Sequence, residues 1–143
     1  MTLNSEERDT LVALRLQIAR ETLEEAKGNM KMEYWRTATN RLYYACYYAV
    51  NALLIYNGYI ARTHSGVIGL FGLHFVSKGL ISMDNGKLYR NLFEKRQSSD
   101  YDEWIIIDGN DVKPFIKPVE EFISTIEDLI ASSFIDTSDY PKK

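Results

Sequence analysis

From Ser5 to Lys27, apolar residues at Leu11, Leu14, Ile18 and Ala19 recur at helical spacing among charges. This predicts an amphipathic first helix, with Ser5 as its cap and Gly28-Asn29 as its stop. A second helix is expected from about Glu33 to Tyr56, closed by Asn57-Gly58. Its centre, Leu42 to Leu54, is apolar on nearly every side, the pattern of a helix in the middle of a bundle or at an interface. The third runs from about His64 to Lys78, after Thr63 as cap and before Gly79; the fourth, from about Asn85 to Ser99, carries Leu88, Leu92 and Phe93. "DEWIIIDGND" then reads as a loop with a short extended piece at Trp104 to Ile107, turned by Asp108-Gly109. The fifth helix, about Asp111 to Ser133, has strong 3.6 periodicity through Val112, Phe115, Ile116, Val119, Phe122, Ile123, Ile126 and Leu129. No period-two pattern is sustained anywhere. The expected class is all-α, an antiparallel bundle of four main helices plus a shorter one over residues 1–134, followed by a polar tail at 135–143.

Composition narrows the chemistry. At 143 residues the chain fits one domain. Its single cysteine, Cys46, falls within the apolar run "YYACYYAVNALL", which excludes an internal disulfide and points to a buried, inert thiol. No stretch has the length of a membrane span, and the amino end "MTLNSEERDT" is polar, so a cytoplasmic location is expected. The net charge is −3, unevenly spread: residues 1–99 carry 13 Lys/Arg against 9 Asp/Glu (+4), and residues 100–143 carry 4 against 11 (−7). A mildly basic body keeps a nucleic-acid surface open.

Gly66, Gly69 and Gly72 recur every third residue within the third helix, where each costs about 1 kcal/mol relative to alanine. A phosphate-binding loop would need a preceding strand, so close helix packing is the expected reason. His64 and His74 lie ten residues apart, roughly 15 Å along a straight helix, too far to share an ion. Neither a metal site nor a cofactor is expected. On the second helix Arg41, Tyr44 and Tyr48 form a stripe at i, i+3 and i+7, and a cation in so apolar a run needs a carboxylate, a carbonyl, a partner subunit or a ligand phosphate. Arg96 and Asp100, at i and i+4, can pair with each other.

Three segments carry a resemblance to a known family: "TNRLYYACYYAVNALL", with R-x-Y-Y-A-x-x-Y-A at Arg41 to Ala49; "THSGVIGLFGLHFV" from Thr63; and "LFEKRQSSDYD" from Leu92 to Asp102. Over residues of about 10 to 130 the chain resembles single-domain bacterial and archaeal HEPN-domain proteins. The resemblance implies a helical bundle, usually a homodimer, whose members include metal-independent ribonucleases, toxins and partners of a small nucleotidyltransferase. Catalytic members carry an arginine, a polar residue and, after four to six intervening residues, a histidine. Arg96 and Gln97 match the first two. Where the histidine belongs stand Tyr101, Asp102 and Glu103, and a phenol whose ordinary pKa is about 10 is a poor base at neutral pH.

The leading expectation is therefore an RNA- or nucleotide-binding HEPN module, in a toxin-antitoxin or defence pair with a nucleotidyltransferase. Arg41, Tyr44, Gln97 and Asp100 are the candidate binding residues. The alternatives are a ribonuclease using Arg96 with Tyr101 or His64, and a structural partner subunit without catalysis.

Overall fold

The computed structural model describes residues 3–101 and 106–135, with side chains for all of these except 99–101 and 133–135. The described residues are helical and contain no strand. Four long helices, α1 (Ser5–Lys31), α2 (Trp35–Tyr56), α4 (Met83–Tyr101) and α6 (Ile116–Ile135), are joined by the shorter α3 (His64–Phe71) and the single-turn α5 (Gly109–Val112). The expected extended piece at Trp104 to Ile107 lies partly outside the described residues; Ile106 and Ile107 belong to no helix or strand. The polar tail is outside them from residue 136.

The core stripe of α1 is Val12, Ala19, Leu23 and Ala26, all buried, whereas Leu14 is exposed. The face is thus rotated from the one the larger apolar residues suggested. Small Ala19 and Ala26 meet an alanine-rich α2, in which Ala38, Ala45, Ala49 and Ala52 are fully buried, so two backbones can approach where bulky side chains would hold them apart. Leu42, Tyr43, Val50, Leu53 and Leu54 are buried as well, and α2 is the central helix of the bundle. α6 presents Val119, Phe122, Ile123, Ile126 and Ile130 to it. Arg20 bonds Glu127 and Lys27 bonds Glu120, so residue numbers fall along α6 as they rise along α1: the two are antiparallel.

The helix ends correct several expectations. Asn4, not Ser5, caps α1, in a reciprocal capping box with Glu7. Gly28 does not stop it. The chain reverses at Glu33, whose φ is +60°, after Tyr34 N–H bonds the Asn29 carbonyl and Glu33 N–H the Met30 carbonyl. The third helix passes into a π turn over Gly72–Val76, in which Ser77 N–H reaches back to the Gly72 carbonyl. The fifth predicted helix is broken. Pro118 offers no N–H to the carbonyl of Pro114, four residues earlier, so Lys113–Phe115 tighten into a 3-10 turn before α6 begins.

Close packing does not explain all three recurring glycines. A Cβ on Gly69 or Gly72 would meet nothing within 4 Å; only Gly66 is tight, its Cβ position 2.9 Å from the Thr63 hydroxyl that caps α3. The glycines that do permit close approach are Gly86, beneath the Val76 methyls, and Gly109, against the Trp35 ring.

Candidate functional site

Consecutive residues of a helix point about 100° apart, so Tyr43 and Tyr44 leave α2 on different faces, and Tyr47 rises one turn above Tyr43. Tyr43 is fully buried, and Tyr44 and Tyr47 are half-buried. The loop after α2 returns the chain so that His64, the first residue of α3, comes down among them. Its ring centroid is 5.0 Å from Tyr47 and 5.7 Å from both Tyr43 and Tyr44. His64 Nδ1 lies 2.7 Å from the Tyr43 hydroxyl. Thr63 fixes this start of α3 by accepting from Gly66 N–H.

α4 closes the other side. Tyr89 stacks on Tyr43, nearly parallel at 5.8 Å, and Phe93 packs at the same distance. One turn on, the Arg96 guanidinium lies 5.4 Å from the Tyr44 ring centre and 5.7 Å from that of Tyr43. Arg41 approaches the same Tyr44 ring at 5.2 Å. It also bonds the Asn40 amide oxygen at 2.9 Å and reaches Glu25 of α1 at 3.3 Å, the carboxylate partner a cation in this run requires.

Of the residues singled out in the sequence, Arg41, Tyr44, His64 and Arg96 come together on one aromatic face. Gln97 is exposed one residue beyond. α4 extends through Asp100 and Tyr101, but their side chains, and with them an Arg96–Asp100 pair, lie outside the described residues. Tyr43 and Tyr47 were missed. Both stand in the quoted "LYYACYY" run, yet the stripe through Arg41, Tyr44 and Tyr48 drew attention to the neighbouring face, and a tyrosine on a core face reads as packing.

The electrostatics follow from burial. Loss of solvent pushes the Tyr43 phenol well above its ordinary range, and burial alone does the same to the Cys46 thiol. His64 is lowered from 6.5, first by desolvation and then by the Arg96 cation. The second histidine is remote from this face: His74 stacks on Tyr59 at 4.1 Å. Among the described residues no group of three His, Cys, Asp or Glu side chains could hold a metal ion. What the cluster offers is two guanidinium groups and an imidazole over stacked phenols, suited to holding an anion and an aromatic base.

A model of the HEPN domain matches residues 12–129. The chain belongs to the HEPN-domain family. It is 38% identical over 124 residues to a "UPF0332 protein" of Thermotoga maritima, covering 87% of this chain and 94% of that one. A protein of Methanocaldococcus jannaschii named "Putative toxin MJ0605" is 35% identical over 99 residues, 69% of this chain and 73% of the relative. A second from that organism, "Putative toxin MJ0142", is 24% identical over 120 residues, 84% and 82%. The HEPN match runs from α1 to α6 and so includes every element that builds the aromatic face. No described helix is long and apolar enough to cross a membrane.

Proposed function

We propose that this HEPN protein is an RNA- or nucleotide-binding module of a cytoplasmic toxin pair, holding phosphate and base on the face formed by Arg41, Tyr44, His64 and Arg96. The observation that carries the reading is that Arg41 and Arg96, from different helices, converge on one tyrosine ring beside a half-buried histidine. Guanidinium groups bind phosphate through charge-assisted hydrogen bonds, and exposed aromatic faces stack on unpaired bases. Gln97, exposed next to Arg96, belongs to the proposal as a further contact, and Asp100 and Tyr101 belong to it from the sequence alone. The two toxin-named relatives support the toxin pair; a homodimer and a nucleotidyltransferase partner come from the family resemblance.

Fluorescence anisotropy with a single-stranded RNA oligonucleotide tests this. Arg96→Ala is expected to weaken binding by about tenfold or more, the worth of a hydrogen bond to a charged group; unchanged affinity would overturn the reading. The alternative, metal-independent cleavage, rests on His64 standing beside Arg96. RNA cut in the presence of EDTA by the wild type, but not by His64→Ala, would establish it in place of simple binding.

A further inference from the structure

The bond between Tyr43 and His64 can be oriented. Tyr43 is 0% exposed, so its hydroxyl proton is cut off from bulk solvent, and leaving it unbonded is costly. Around it stand the rings of Tyr44, Tyr47, Tyr89 and Phe93 and the Arg96 cation, and among the described residues the hydrogen bond of good geometry that its hydroxyl makes is the one to His64. The Tyr89 hydroxyl, whose ring stacks on that of Tyr43, is buried and makes no hydrogen bond of good geometry that could take this proton. The acceptor that remains is His64 Nδ1, at 2.7 Å. If Nδ1 accepts, the proton of the neutral ring is on Nε2.

We propose that Tyr43 is a positioning residue that holds His64 as the neutral Nε2–H tautomer, so that the site offers His64 to an RNA phosphate oxygen as a hydrogen-bond donor and not as a base. The inference rests on the anion-binding reading above and sharpens it. Protonating Nδ1 would strip the Tyr43 hydroxyl of its acceptor and bring a second cation beside Arg96. Among the described residues, the charged and titratable groups facing His64 are Tyr43, Tyr44 and Tyr47 of α2 and Arg96 of α4, and none of these favours an imidazolium. Arg96, Arg41 and His64 then form a donor set. It can hold a phosphodiester, but His64 has no free lone pair with which to take a proton from a ribose 2′-hydroxyl.

Long-range 15N–1H NMR of the 15N-histidine-labelled chain reads the tautomer directly, with His74 as internal comparison. The expected spectrum shows a pyridine-type Nδ1 and a pyrrole-type Nε2 for His64, persisting below pH 6.5. Tyr43→Phe keeps the ring but removes the donor. It should mix the tautomers, raise the His64 midpoint toward the ordinary value and weaken binding of a single-stranded RNA oligonucleotide about threefold to tenfold, as expected for one misdirected hydrogen bond. His64→Gln, whose amide supplies an N–H but no base, should recover part of the affinity lost in His64→Ala. A proton on Nδ1, or an imidazolium at neutral pH, overturns the proposal whether or not RNA binds. The stated tautomer in a protein that binds neither RNA nor nucleotide at millimolar concentration overturns the binding reading and the phosphate role of His64 with it, while the hold of Tyr43 on the ring stands.

Discussion

Tyr44 carries two guanidinium groups, from Arg41 at 5.2 Å and Arg96 at 5.4 Å, so its ring is a contact the two cations share. A cation over an aromatic ring at a partly exposed site is worth about 0.5–1 kcal/mol. Tyr44→Leu, which removes this contact from both, is therefore expected to lower RNA affinity about tenfold in an anisotropy titration. Tyr44→Phe, which keeps the ring and loses only the hydroxyl, should retain most of it. Equal losses in the two variants would show that the hydroxyl, not the ring, matters. At this scale the sequence offered candidates by residue type: an arginine on an apolar helix, a second one after Leu92-Phe93, and a histidine at a capped helix start. It could not show that the Tyr43 hydroxyl meets His64, because the two are 21 residues apart and joined only through the path of the intervening loop.

Among the elements, the chain reversals show what a sequence conceals. Gly58 and Gly79 end their helices with positive φ and paired carbonyls, as their glycines foretold. The same reversal occurs after α1 with Glu33 at φ +60°, a conformation that costs an L side chain roughly 1–2 kcal/mol. Glu33→Gly should relieve it and, after allowing for the greater freedom of glycine in the unfolded chain, raise stability by about 0.5–1 kcal/mol in a urea titration. The helical glycines give a sharper contrast. Gly69→Ala adds a methyl to open space in a helix interior and should stabilise by about 0.5–1 kcal/mol. Gly86→Ala places one 3.1 and 3.2 Å from the two methyls of Val76, a β-branched residue with little rotamer freedom, and should lower the melting temperature despite the gain in helix propensity. The reverse order of melting temperatures would refute this account of the two sites.

For the whole molecule, burial sets the pH response. Cys46, Tyr43 and Tyr89 are held protonated by desolvation, above their ordinary values of 9.0, 10.0 and 10.0. A folded pKa raised above the unfolded one lends stability that is complete below the unfolded value and is lost as pH rises past it. Lys27, raised from 10.5 by its bonds to Glu120 and Glu24, acts in the same direction. On the acid side, Glu120 is lowered from 4.5 by Lys27, and His64 from 6.5 by desolvation and Arg96, so their contributions are present above those values and fade as pH falls through the folded ones. Urea midpoints should therefore be highest between about pH 7 and 9, fall steeply above pH 9, and fall gently below pH 6.5. Cys46→Ala should delay the alkaline loss; an onset unmoved in that variant would exclude the thiol as its first cause.

The sequence by itself determined that the chain is helical, where four long segments lie and that α6 has a core face, while for α2 it left open the middle of the bundle or an interface. Periodicity and near-total apolarity are properties of each segment alone. It also supplied the family, through three motifs in order. The true α1 face, the stop at Glu33 and the break at Lys113–Phe115 were decided by which neighbour each segment meets and by where a backbone hydrogen bond cannot form. The site was decided in the same way. Tyr43 and Tyr44 of α2, His64 of α3 and Arg96 of α4 are ordinary residues in their own helices, and become one donor-rich face only because the loop after α2 turns His64 back onto the middle of that helix.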